Sequence, residues 1–293
     1  MKRAFIGRLP MRQIEPLAHL ISTVRCVFST RSRHDASIRV ELGYAVSGDS
    51  NAFVRSARIT RALESLIDQR IYFGRALEPS ESLPDLDAIV DALMIRIAEL
   101  RAYAPDRPIF ISPFHYVSQY ANIYIVDKLA ERLGLDALAV VSGVPRNTYG
   151  DDHALVRRLN ILYTYGDANR GGLGVRLSRS LRQNHIAALF ADVPPFTMHR
   201  YPMETAQVTR FGRDARIHRG VFRIGARSNA WLVPFYLRFS RGRFGMHIFD
   251  SIALAEENAP QMLAGCIESA LRDNYHSWLP AGHPAMYSFA PSR

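Results

Sequence analysis

Cysteine is almost absent from this chain. Cys26 and Cys266 are its only two, too few for a disulfide framework and excluding any metal site built on cysteine, so both read as packing residues. Long apolar runs are missing as well. The longest, such as Ala230–Leu237, are strand-sized, and none approaches the ~18–20 continuous apolar residues a membrane-spanning helix requires. No secretory signal stands at the N-terminus, because Lys2, Arg3, Arg8 and Arg12 lead into a polar-interrupted amphipathic stretch. A cytoplasmic protein is expected. Lysine is scarce too: Lys2 and Lys128 are the only two among 37 basic residues.

What remains is an arginine-rich chain of 293 residues with a net charge of +10. Codon bias in a GC-rich genome would account for arginine replacing lysine, but not for where the charges sit. The first 34 residues carry seven Arg/Lys against Glu15 alone, and residues 200–247 carry ten arginines against Glu204 and Asp214. Such concentration fits an anionic partner, and the planar guanidinium fork suits phosphate. Nucleic acid is disfavoured, since no zinc-finger spacing, aromatic RNA-binding motif or basic zipper is present. An anionic membrane surface or a phosphorylated lipid is the expected partner.

With 48% hydrophobic and 22% charged residues, the composition is that of a globular protein able to bury a large core. Residues 12–28 place Ile14, Leu17, Ala18, Ile21, Val24 and Phe28 at helical spacing. With its flanking arginines this helix could lie in a bilayer interface or pack on its own domain. Residues 51–72 and 84–103 also read as helices. From residue 107 onward, short apolar runs (108–112, 137–143, 160–165, 185–191, 231–239, 245–249) alternate with amphipathic segments around 117–133, 173–183, 216–229 and 260–275. Such alternation predicts an α/β fold, a mixed, mostly parallel sheet flanked by helices. Residues 1–104 would form a helical membrane-docking or cap portion, and residues 105–293 the α/β core, in one continuous domain. In such sheets, sites gather at the carboxyl ends of strands.

The most informative junction is Ile109-Phe-Ile-Ser-Pro-Phe-His-Tyr-Val-Ser-Gln-Tyr120. An apolar strand ends, the chain turns through Pro113, and His115 stands where a helix begins. An imidazole there can take the proton of a substrate hydroxyl. Ser118 lacks the setting of a nucleophile elbow. Arg170-Gly-Gly-Leu-Gly174 lacks the Gly-Lys-Ser/Thr ending of a phosphate loop. Asp151-Asp152-His153 reads as an acidic helix start rather than a metal site, because three adjacent residues cannot all face one ion.

The strand–turn–His–helix junction resembles the His-x4-Asp/Glu motif of the glycerolipid and lipid A (lauroyl/myristoyl) acyltransferases. Further segments follow in that family's order. Asp151 to Arg158 resembles its Asp-x6-Arg segment, and Leu181–Asp192 its apolar strand ending in an acid. Val208–Gly212 is similar to a Phe-Phe-Gly turn, Gly220–Arg238 to a glycine–helix–Val-Pro block, and Tyr275–Leu279 to a closing Tyr-x-Trp-Leu. The likeness spans residues 107–280. It implies an acyltransferase that moves a fatty acyl group from an acyl-carrier-protein or coenzyme A thioester to a hydroxyl or amine of a (glyco)lipid. It would be peripheral on the cytoplasmic face of a bacterial inner membrane. His115 would be the general base, with Asp192 and Arg158 organising the site. Tyr120, Arg210, Phe211, Gly212, Arg213 and Gly220 would contact substrate. Neither a metal nor a cofactor beyond the thioester donor is implied.

One departure stands out. Five positions after His115 the family has an acid that orients the imidazole; here the residue is Tyr120. Asp127 is too far along the helix, about 18 Å, to replace it. Three readings stay open. Asp192 or Asp152 could reach His115 from another strand. Turnover could run slowly on Tyr120. Or the protein could be a catalytically impaired homologue that binds lipid or acyl carrier.

Overall fold

The computed structural model describes residues 2–47, 56–78, 81–142, 158–163, 172–195 and 204–282. Among the described residues, five α-helices come first: α1 (Lys2–Gly7), α2 (Ile14–Phe28), α3 (Thr30–Ser47), α4 (Thr60–Leu77) and α5 (Pro84–Tyr103). Proline at the first helical position and Asp85 and Asp87 in the first turn start α5. Its apolar stripe, Leu86, Ile89, Val90, Leu93, Ile97 and Leu100, is buried throughout. α2 buries Ile14 and Ala18 but leaves Leu20, Val24, Val27 and Phe28 exposed. α3 was not legible in the apolar pattern. It is entered through Ser29, whose hydroxyl accepts from the Ser32 amide at 3.2 Å, and it is anchored by the buried Ala36, Arg39 and Val40.

The sheet follows. It is built from β1 (Ile109–Pro113), β2 (Leu138–Ser142), β3 (Leu159–Tyr163), β4 (Ile186–Leu189), then β7 (Trp231–Ser240), β8 (Arg243–Ile248) and β9 (Ile252–Ala253), in the order β3-β2-β4-β1-β7-β8 with β9 also pairing β7. β1 lies parallel to both β4 and β7, and β2 parallel to β3 and β4. β8 and β9 add antiparallel to β7. The sheet is therefore mixed and mostly parallel, as the alternating pattern predicts. Every residue of β1 and β4 is buried, which is why these strands read as unbroken apolar runs. Proline interrupts β7 at Pro234, where β8 has ended and β9 has not begun, so no ladder needs its missing N–H. The connecting helices are α6 (Gln119–Arg132), α7 (Leu173–Asn184), α8 (Gly220–Arg227) and α9 (Ala259–Asn274).

One element departs from the expected helix over 216–229. Residues 205–218 form a hairpin, β5 (Thr205–Arg210) with β6 (Arg213–His218), and only then does α8 begin. Phe211 and Gly212 connect the strands with φ of 51° and 70°, the pair of positive values that a two-residue hairpin turn demands. Among the described residues no helix is long and apolar enough to cross a membrane.

Candidate functional site

The carboxyl ends of the adjacent strands β1 and β4 bring two of the sequence-predicted residues together. His115 follows β1 by two residues and Asp192 follows β4 by three. Nδ1 of His115 stands 2.7 Å from Oδ1 of Asp192, and the His115 amide donates to Oδ2 at 2.8 Å. The Trp278 indole N–H donates to the same Oδ2 at 3.0 Å. Three donors thus hold one carboxylate whose side chain is wholly buried. Because a carboxylate only accepts, Nδ1 carries the proton and Nε2 has the free lone pair. The imidazole keeps 12% of its side-chain surface exposed, and its ring packs on Phe190 at 4.6 Å. The acid that reaches the imidazole is thus Asp192, just beyond the neighbouring strand β4.

The loop carrying His115 is held from several sides. Tyr116 bridges Trp278, the Leu279 amide donates to the His115 carbonyl at 2.8 Å, and the Val117 amide to Ser277. Buried Asn122 reaches back from α6 to the carbonyls of Phe114, Tyr116 and Ser118. Ser118 caps α6 by accepting from the Ala121 amide at 2.9 Å. Val117 has a φ of 67°, a value that costs a β-branched residue on the order of 1–3 kcal/mol and persists only where surroundings dictate it. Strain of this kind, next to an ordered His–Asp pair, is typical of functional loops.

Arg210 also belongs to this neighbourhood. It is buried at the end of β5, burial lowers its pKa, and the charges of Tyr116, Glu268 and Asp192 oppose that shift. A fixed positive charge thus lies within electrostatic reach of Asp192. Phe211 presents its amide to Glu268 at 2.6 Å and its ring to Arg272 at 4.9 Å, so the hairpin tip rests on α9. Gly212 and Arg213 complete the exposed tip, and Gly220 is exposed at the start of α8. None of these three is joined to His115 by a bond or contact that would make it part of the pair.

Two expectations need correction. Arg158 precedes β3, with its carbonyl accepting from the Leu138 amide at the start of β2. It therefore sits at the amino edge of the sheet, a strand length away from His115. Its guanidinium donates to the Leu135 carbonyl and its amide to Asp127, which is a fold-stapling role. Tyr120 does not contact the imidazole either. It is 4% exposed, with its ring edge-on to Tyr72 at 5.8 Å, leaving almost no surface for a substrate. Asp151, Asp152 and His153 lie outside the described residues, as do Arg170 and Gly171 of the glycine-rich stretch. Among the described residues no three His, Cys, Asp or Glu side chains form a group that could hold a metal ion.

Sequence reasoning missed the carboxylates beneath the loop. The Ser118 hydroxyl donates to Asp68 at 2.5 Å, and the Tyr120 amide at 3.3 Å. Burial pushes Asp68 up to about 6 against those two bonds. One turn away, burial and the neighbouring Asp68 push Glu64 up to about 7 against the pull of Arg39 and Arg61. An acid whose pKa is raised by folding is disfavoured when ionised, so its stability contribution falls as pH climbs from its ordinary 4.5 towards 7. Glu64→Gln is therefore expected to raise stability at pH 8 by about 1–3 kcal/mol and to gain little at pH 5. Urea unfolding at the two pH values checks this, and an equal gain at both would refute it. The only sequence signal is the i, i+4 spacing of two acids on a helix that also carries Arg61, Arg70 and Arg75.

No protein-family model matches the chain, and no curated protein matches it significantly.

Proposed function

We propose that this protein transfers a fatty acyl group from a carrier thioester to a hydroxyl or amine of a lipid-type acceptor, with His115 as general base. The observation that carries the reading is the 2.7 Å contact between His115 Nδ1 and Asp192. An imidazole with Nδ1–H fixed by a buried carboxylate has Nε2 free to accept a proton, and the carboxylate stabilises the imidazolium that forms. The acceptor's hydroxyl proton passes to Nε2 as its oxygen attacks the thioester carbonyl. Collapse of the tetrahedral intermediate breaks the C–S bond, and the imidazolium returns the proton to the departing thiolate. Ester and free thiol are the products, and His115 is neutral again.

The working place in this reading is the surface of an anionic membrane, peripherally on its cytoplasmic face. Leu20, Val24, Val27 and Phe28 recur on one side of α2, with Phe28 85% exposed, and Phe5 of α1 is exposed as well. Exposed Arg3, Arg8, Arg12 and Arg25 accompany them. An apolar row with arginines around it suits a helix seated among lipid headgroups.

The test is acyl transfer from acyl-carrier-protein and coenzyme A donors to lipid acceptors, comparing wild type with His115→Ala. Loss of roughly 10^3-fold or more is expected for a general base working as one unit with its acid. Equal background rates in both proteins would favour a catalytically impaired lipid- or carrier-binding protein instead.

A further inference from the structure

Asp68 of α4 reaches from the helical N-terminal part to the loop that carries His115. Its Oδ1 accepts two bonds from the far end of that loop, from the Ser118 hydroxyl at 2.5 Å and from the Tyr120 amide at 3.3 Å. The first bond fixes the Ser118 rotor. A hydroxyl has one proton to give. With that proton on Asp68, a lone pair is left for the Ala121 amide, which donates to Ser118 Oγ at 2.9 Å. The second bond takes up one of the N–H groups that the first turn of a helix leaves without an intrahelical acceptor. A carboxylate at this end is also favoured by the helix dipole. The start of α6 is thus capped twice, by its own serine and by an acid 50 residues earlier in the chain.

What this second cap controls is the place of the imidazole. His115 hangs between two anchors. One is Pro113, the last residue of β1, in register with Phe235 of β7. The other is Ser118, held by Asp68. Residues 114–117 span the gap, and Val117 among them has a φ of 67°, which a β-branched residue keeps only where its surroundings impose it. The bonds from Asn122 to the loop carbonyls belong to the first turns of α6, so they move with the helix start. Only the Val117 amide, donating to Ser277, ties this stretch to the closing segment from its own side. Once the Ser118 end is freed, the chain relaxes at Val117 and carries His115 off its 2.7 Å contact with Asp192. We infer that Asp68 is a positioning residue for the His115–Asp192 pair, holding the start of α6 so that the imidazole meets its acid. Its effect on rate rests on the acyl-transfer reading; its effect on geometry does not.

Both bonds end on Oδ1, so Asp68→Asn, with its carbonyl oxygen there, keeps them. Asp68→Leu keeps the shape and deletes the acceptor. The readout is the Nδ1 proton of His115, which a bond to a buried carboxylate moves far downfield in the proton NMR spectrum. His115→Ala identifies that resonance by its loss. Asp68→Asn should retain it, with turnover within about threefold of wild type. Asp68→Leu, shown to be folded by circular dichroism, should lose it to solvent exchange. Its kcat should fall about 10–100-fold, with KM for the thioester within about twofold. Ser118→Ala removes the hydroxyl from the other side, and adding it to Asp68→Leu should cost no more than Asp68→Leu alone, because both act through one contact. Should Asp68→Leu fail to fold, Ser118→Ala carries the test, with a weakened resonance expected and an unchanged one overturning the inference. A folded Asp68→Leu protein that melts lower yet keeps both resonance and kcat makes Asp68 a plain helix cap and overturns it too. So does an Asp68→Asn protein as damaged as Asp68→Leu. If the resonance depends on Asp68 in a protein that transfers no acyl group, the positioning role stands and the acyl-transfer reading falls.

Discussion

Asp192→Asn is expected to lower acyl transfer by roughly 10^3–10^4-fold, the scale seen when a catalytic histidine is left in the wrong tautomer. Two N–H groups converge on Oδ2 of Asp192, from the His115 backbone and the Trp278 indole, while Oδ1 faces His115 Nδ1. An asparagine keeps the two-donor contact by placing its single oxygen there. Its amide N–H then points at Nδ1 and can be accommodated only if Nδ1 becomes an acceptor. The imidazole proton moves to Nε2, and the atom that should deprotonate the acceptor hydroxyl can no longer do so. Two of the three hydrogen bonds survive unchanged and the third reverses, so the fold should hold and the melting temperature should move by only a few degrees for a loss of about 1 kcal/mol. The measurement is kcat at saturating donor, together with circular dichroism to show that the variant is folded. An Asp192→Asn protein retaining more than a tenth of wild-type turnover would remove the acid from the mechanism. Trp278→Phe keeps the bulk and deletes one donor, and should fall between the two proteins.

Why some of this was legible in the sequence and some was not follows from the range of the interactions. β1, β4 and β7 announced themselves because a strand buried on both faces has to be apolar at nearly every position. His115 was legible because the residue just beyond such a strand faces the cleft. Its partner was legible only as a candidate among several. Asp192 lies 77 residues away, and nothing local in the sequence records that β4 sits beside β1. The same holds for Trp278, whose indole closes the carboxylate from a third direction. The β5–β6 hairpin was within reach: Ala206, Val208 and Arg210 alternate with polar residues, as do Ala215 and Ile217. The pattern over 216–229 instead reads as an amphipathic segment, and Val208–Gly212 as a turn without its two strands. Arg158 was misplaced for a related reason. A segment's order along the chain does not say at which edge of the sheet it starts.

Tyr120→Asp restores the acid that the resembling family carries at this position, and it is expected to destabilise the protein without raising turnover. Two effects oppose each other at the second residue of α6. A carboxylate near a helix N-terminus gains about 0.3–1 kcal/mol from the helix dipole. Against this stand a site only 4% exposed, the neighbouring Asp68, which already accepts from the Tyr120 amide at 3.3 Å, and the lost edge contact with Tyr72. Deleting a buried aromatic ring alone costs about 3–5 kcal/mol, and placing a second acid beside Asp68, itself pushed up to about 6 by burial, adds to it. The penalty wins by several kcal/mol. The new group would also have no vacancy to fill, because Nδ1 of His115 is already committed to Asp192. Urea unfolding should show the loss of stability, and activity per folded molecule should not exceed that of wild type. Tyr120→Phe, which keeps the ring, should retain near-normal turnover. A clear rise in kcat for folded Tyr120→Asp would mean that His115 lacks its acid in the working enzyme and that the pairing with Asp192 is not the one used in catalysis.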